Sequence, residues 1–134
     1  MIGQLNHVAI AVPDLEIATK FYKNTLGANV SDALELPDHG VKTVFVKLQN
    51  TKIELLEPID SSSPISKFLH EHPNGGIHHI CYQVEDIKSA ISKLVKEGAR
   101  VLGTGKPDIG AHGKPVIFLH PKDCLGTLVE LEEA

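Results

Sequence analysis

The sequence predicts an α+β fold of two tandem βαβββ modules, forming a concave, partly closed mixed sheet around a metal site. Three observations carry this: an internal repeat, one order of hydrophobic periods in both halves, and a length suited to one domain. LNHVAIAVPDLEIATKFYKN (5–24) aligns with IHHICYQVEDIKSAISKLVK (77–96), placing His7 on His79, Val12 on Val84, Asp14 on Asp86 and Ala18 on Ala90. LGANV (26–30) answers EGARV (97–101), and NTKIELL (50–56) answers GTLVELE (126–132), with Thr51 on Thr127 and Glu54 on Glu130. Two copies are too few for a solenoid. The 134 residues are the usual size of one domain, read here as a single domain over 1–134. Repeat 1 covers about 5–57, a connector 58–76, and repeat 2 about 77–132.

Residues 5–12 alternate with a period of two, placing His7, Ala9 and Ala11 on one strand face and Val8, Ile10 and Val12 on the other. Asp14 then caps a helix over 15–26, with Leu15, Ala18, Phe21, Tyr22 and Leu26 on its buried side and Gly27 as its stop. Strands follow at 28–34, 42–48 and 51–57. Ser63 and Pro64 read as cap and first residue of a short connector helix carrying Ile65, Phe68 and Leu69. The second half repeats the order: a strand at 78–84, Asp86 as cap, a helix burying Ile87, Ala90, Ile91, Leu94 and Val95, then Gly98 as stop. Strands at 99–103, 115–120 and 127–132 complete it.

Composition narrows the function. Hydrophobic residues make up 42% and charged residues 22%, with a net charge of −4. There is no basic stretch, and aromatics are only 4% without tryptophan, which argues against nucleic acid as a partner. No apolar run approaches the ~18 residues of a membrane span, so a membrane is not an expected partner. Cys81 and Cys124 have no metal-like or redox-like spacing and read as small hydrophobes in a reducing compartment. Met1 leads almost directly into a strand pattern. The expectation is a protein made and kept in the cytosol, or one whose leader lies outside this sequence.

Strand parity selects four polar residues. His7 and His79 occupy equivalent places and share a face with Ala9 and Ala11, and with Cys81 and Gln83. Glu54 lies between Ile53 and Leu55, and Glu130 between Val129 and Leu131, which point the other way. A strand histidine alone is usually structural, and a terminal-strand glutamate is usually solvated, but four at repeat-related positions are not independent. If the halves meet about a pseudo-two-fold axis, they form a His₂Glu₂ set suited to Co²⁺, Mn²⁺, Ni²⁺, Fe²⁺ or Zn²⁺. His78, on the opposite face, reads as structural or surface, and His70 and His72 as surface residues at a helix C-terminus. The segment GTGKPDIGAHGKP (103–115) is no phosphate-binding loop. Its four glycines with Lys106, His112 and Lys114 make it either a plain connection between strands, or a lid or substrate contact at the site.

NHVAIAVPDLEIATKFYKNTLGA, NTKIELLEP, GGIHHICYQVEDI and GAHGKPVIFLHPKDCLGTLVELE together resemble the methylmalonyl-CoA epimerases, a family of the vicinal-oxygen-chelate superfamily that also holds glyoxalase I and the extradiol dioxygenases. The resemblance covers essentially the whole chain. The HVAIAVPD opening is shared across the superfamily, whereas GAHGKPVIFLHPKDC is closer to the epimerases, and to their animal members above all. The family's metal positions fall on His7, Glu54, His79 and Glu130. Some members carry Gln in place of Glu54. Bacterial members can have a second acid/base carboxylate on the strand after the turn at His39–Val41, where this chain has Thr43.

The resemblance implies epimerisation of methylmalonyl-CoA at C2 through a metal-stabilised enolate, in propionyl-CoA and branched-chain amino-acid catabolism. It implies a divalent ion, Co²⁺ ahead of Mn²⁺, Ni²⁺ or Zn²⁺, and a homodimer. Glu130 would take or return the C2 proton, with Glu54 as the candidate for the second face and His112 or a water in reserve. For an animal source the compartment is the mitochondrial matrix, and otherwise the cytoplasm. Two alternatives stand beside this reading: a glyoxalase I-like lyase acting on a glutathione hemithioacetal, and a metal-free drug-binding protein of the same fold. The two repeat-related glutamates argue against an extradiol dioxygenase, which keeps one.

Overall fold

In the computed structural model, which describes residues 1–134, Asp14 starts the first helix. Its carboxylate accepts the Ile17 amide at 3.1 Å with the cap backbone extended (φ −143°, ψ 108°), so one unpaired donor of the first turn is satisfied. Asp86 repeats the device at φ −137°, ψ 110°, accepting the amides of Lys88 at 2.9 Å and Ser89 at 3.1 Å. Those amides, Ser89 first, hold the Asp86 carboxyl below its usual value. The helices they start are α1 (Leu15–Lys20) and α3 (Ile87–Lys96).

The first helix is shorter than its periodicity predicts. After Lys20 the chain widens into a π-turn over Phe21–Thr25, and the Leu26 amide reaches back to the Phe21 carbonyl at 3.0 Å. The wider turn shifts the phase of the buried stripe. Of the two residues expected inside, Phe21, about 120° around the regular helix from Leu15, is exposed before the wide turn begins, and Leu26 is exposed past it, while Ala18 and Tyr22 stay packed. In α3, Val95 is exposed as well. One position past Leu94, it has rotated to the rim of the apolar stripe.

The chain divides into two compact units. One is His7–His78, and the other joins Met1–Asn6 to His79–Ala134. In the first, strands β1 (Ile2–Ala11, from His7 on), β2 (Asn29–Val30), β3 (Leu34–Leu36), β4 (Val41–Lys47) and β5 (Lys52–Pro58) run in the order β2-β4-β5-β1, with β3 also on β4. β1 is parallel to β5, pairing Ala9 with Glu54, and β4 is antiparallel to β5, pairing Phe45 with Glu54. Val44, Val46 and Leu55 pack on Leu15 of α1. Ala9, Ala11, Val41 and Leu56 pack on Ile65, ahead of α2 (Ser66–Glu71), with Phe68 and Leu69 of that helix. The two clusters define the two strand faces.

The other unit orders β6 (Gly76–Val84, from His79 on), β9 (Val129–Glu133), β8 (Pro115–Leu119) and β7 (Asp108–Ile109) as β6-β9-β8-β7. β6 is parallel to β9, pairing Cys81 with Glu130, and β8 is antiparallel to β9, pairing Phe118 with Glu130. Val84, Ile117, Leu119 and Leu131 bury one face against Ile87 and Ala90 of α3. Each such fully buried aliphatic side chain contributes about 1.5–3 kcal/mol.

Three elements differ from the periodicity. The strand expected at 28–34 is interrupted because the Ser31 hydroxyl accepts the Phe45 amide at 2.8 Å, where a ladder carbonyl would otherwise bond. The strand expected at 99–103 shrinks to a bridge between Val101 and Leu119, ended by Gly103 at φ +72°. The connector helix begins at Ser66 rather than Pro64, because the Ser63 hydroxyl accepts the Ile65 amide at 3.4 Å within a preceding turn.

Gly75 sets the entry to β6. Its φ is +89°, and a Cβ there would sit 2.6 Å from the Ala11 carbonyl oxygen. Gly75→Ala is expected to cost about 1–3 kcal/mol from backbone strain, and more from the clash. Urea unfolding should show a lowered midpoint, and an unchanged midpoint would contradict this reading.

Candidate active site

Each unit holds one buried His–Glu pair. In the first, His7 Nε2 lies 3.3 Å from Glu54 Oε1. In the other, His79 Nε2 lies 3.5 Å from Glu130 Oε1. All four residues are at most 7% exposed. The strand registers explain the likeness. Each histidine stands two residues before the residue paired with the glutamate, Ala9 in one unit and Cys81 in the other. Across the glutamate on the antiparallel side stands a phenylalanine, which meets the histidine edge-on: Phe45 at 6.2 Å from His7, and Phe118 at 5.3 Å from His79. Phe45 and Phe118 belong to the motif although the sequence reading passed over them. Their positions on equivalent strands were the available signal.

The two pairs differ in one partner. Glu54 Oε2 accepts the Thr43 hydroxyl at 3.1 Å, so both carboxylate oxygens of Glu54 are engaged. The strand position matching Thr43 in the other unit is Val116, which has no hydroxyl to donate. Thr43 thus holds a carboxylate in place rather than supplying one.

Glu132 is a further residue that the sequence analysis does not name. It is 4% exposed and alternates with Leu131, so it shares the face of Glu130, away from α3. Asn6 Nδ2 donates to its Oε2 at 2.7 Å, and His112 Nδ1 lies 2.9 Å from its Oε1. The parity of VELEE was the available signal.

His70, His72, His78 and Cys124 fall outside this chemistry. His78 is half-buried with its ring edge-on to Phe68 at 5.2 Å. His72 is exposed and stacks on Phe68, its Nδ1 3.0 Å from the Phe68 carbonyl oxygen. His70 is exposed near the end of α2. Cys81 is buried, and burial pushes the Cys124 thiol up, with the Asp123 charge adding to it. A thiol so held is no nucleophile.

Residues 6–118 match the family model described as the Glyoxalase/Bleomycin resistance protein/Dioxygenase superfamily, and the chain belongs to that superfamily. Among curated relatives it is similar to the ethylmalonyl-CoA/methylmalonyl-CoA epimerase of Cereibacter sphaeroides, at 65% identity over 99% of each chain. It is also similar to the mitochondrial methylmalonyl-CoA epimerase of Homo sapiens, at 61% identity over 99% of this chain and 75% of that protein. Among solved structures it resembles a methylmalonyl-CoA epimerase in complex with methylmalonyl-CoA and NH4+. There the TM-score is 0.92 and the identity 31%, over 100% of this chain and 96% of that one. No helix is long and apolar enough to cross a membrane.

Proposed function

We propose that this protein epimerises methylmalonyl-CoA at C2, moving a proton off one face of that carbon and onto the other. The observation that carries the reading is the repeated His–Glu pair, built on the same strand register in both units. The similarity to epimerases over nearly the whole chain supports it.

His7, Glu54, His79 and Glu130 are the residues that would hold a divalent ion. The donor chemistry supports the fit. Two buried carboxylates are costly without a cation to offset them, and an imidazole–carboxylate set suits first-row divalent ions, Co²⁺ among them. Bound there, the ion supplies Lewis-acid stabilisation of negative charge developing on the thioester oxygen.

The chain's own residues handle the proton. Glu130 takes it from C2 or returns it, a role worth about 10²–10⁴-fold. Glu54 was the sequence candidate for the second face. The engagement of both its oxygens favours a holding role instead. The active species would be a homodimer, in the mitochondrial matrix for an animal source and in the cytoplasm for a bacterial one.

The carrier thiol separates this reading from its rival. Purified, metal-loaded protein should interconvert the epimers of methylmalonyl-CoA and leave the hemithioacetal of methylglyoxal and glutathione untouched. The reverse pattern would overturn the proposal in favour of a glyoxalase I-like lyase.

A further inference from the structure

Epimerisation needs a proton group on each side of C2, and Thr43 cannot be the second. The GAHG segment and the buried carboxylate of Glu132 are the two features that the mechanism leaves unused, and they touch each other. The segment forms the tip of the β7–β8 hairpin. Ile109 pairs with Pro115, the Gly110 amide donates to the Lys114 carbonyl at 2.9 Å, and the Gly113 amide to the Gly110 carbonyl at 3.0 Å. Gly113 closes the turn at φ +73°, a conformation that suits glycine. At Gly110 a Cβ would lie 2.7 Å from Val116 Cγ1, so only glycine lets the hairpin lie this close to β8. Val116 in turn pairs with Glu132 across the ladder. The turn is therefore built against β8, and it delivers His112 to a fixed partner rather than leaving it on a free loop.

That partner sets the chemistry of the ring. A carboxylate beside Nδ1 fixes the tautomer with the proton on Nδ1 and the lone pair on Nε2. Asn6 holds the other oxygen of Glu132, so the carboxylate cannot swing away. The His112 side chain remains 28% exposed, against 6% for that of Glu132, so the ring is reachable from solvent while its anchor is not. Glu132 and Glu130 are alternate residues of β9, both directed away from the α3 cluster, and His112 accordingly lies on the face that carries Glu130.

We infer that His112, oriented by the Glu132 carboxylate with Asn6 behind it, is the second acid/base group of the epimerase reaction. The inference rests on the function proposed above. In one direction Glu130 takes the C2 proton, the electron pair of the broken C–H bond enters the enolate, and His112 as imidazolium returns a proton from Nε2 to the opposite face of C2. In the other direction His112 takes the proton and Glu130 returns it. No redox partner is needed, and exchange with solvent resets both groups. Glu132 acts as a positioning residue, as does Asn6.

The test follows each epimer separately in D₂O with metal-loaded wild type, His112→Gln, Glu132→Gln and Glu54→Gln. His112→Gln should lower inversion by about 10²-fold or more. Deuterium exchange at C2 should stay within about threefold of wild type from one epimer and be lost from the other. Glu132→Gln should show the same one-sided pattern with a smaller loss, about 10–100-fold in inversion, as expected for a lost orienting partner. A purely structural role for the hairpin would depress exchange from both epimers alike, and that outcome overturns the inference. Near-normal inversion and exchange in His112→Gln overturn it too. A one-sided loss in Glu54→Gln with none in His112→Gln would assign the second proton to Glu54 instead. If wild type fails to invert or exchange either epimer, the epimerase reading itself falls and takes this inference with it. An active wild type confines any failure to His112.

Discussion

Glu130→Gln should lower epimerisation by at least about 10²-fold while leaving most of the metal affinity in place. The amide keeps an oxygen where the carboxylate had one, but it cannot accept the C2 proton. Metal affinity should fall modestly, because a charged ligand becomes neutral. Exchange at C2 reports more directly than inversion, since it registers deprotonation without needing its completion. The epimer whose proton faces Glu130 should stop exchanging, and the other should continue. The lost side should be opposite to the side lost in His112→Gln. If Glu130→Gln exchanges both epimers at nearly the wild-type rate, Glu130 is a ligand only.

His79→Ala should lose metal and activity together while the fold survives. A chain of this length buries roughly 68% of its unfolded surface without help from an ion. The core around Ile117, Leu131 and Ala90 packs on the face opposite His79. His7→Ala should behave alike, since the face packed on α1 holds Val44, Val46 and Leu55 and leaves His7 out. Metal analysis and circular dichroism on the same samples check both halves of the statement. Full occupancy in His79→Ala would remove it from the ligand set.

The parts of this molecule legible in the sequence are those written locally or written twice. Asp14 and Asp86 announce their caps because a side chain bonding an amide three residues on is a local event. His7 with Glu54 and His79 with Glu130 are legible because strand parity places each on a face and the repeat marks them as matched. Features set by one particular contact were not legible. The π-turn that starts at Phe21 ends the regular helix early, and the Ser31 hydroxyl breaks a strand that the apolar pattern would continue. Glu132 looks like any glutamate on a terminal strand. Its burial depends on partners 20 and 126 residues away, His112 and Asn6. Parity gives its face, but the long-range pairing that covers it leaves no period in the chain.

The most direct test of the account is the fate of the C2 hydrogen in wild-type protein. One epimer of methylmalonyl-CoA, incubated with the metal-loaded enzyme in D₂O, should yield the other epimer carrying a single deuterium at C2, with the thioester intact. Recovery of the starting epimer uninverted and unlabelled, or inversion with the original hydrogen retained, would contradict it.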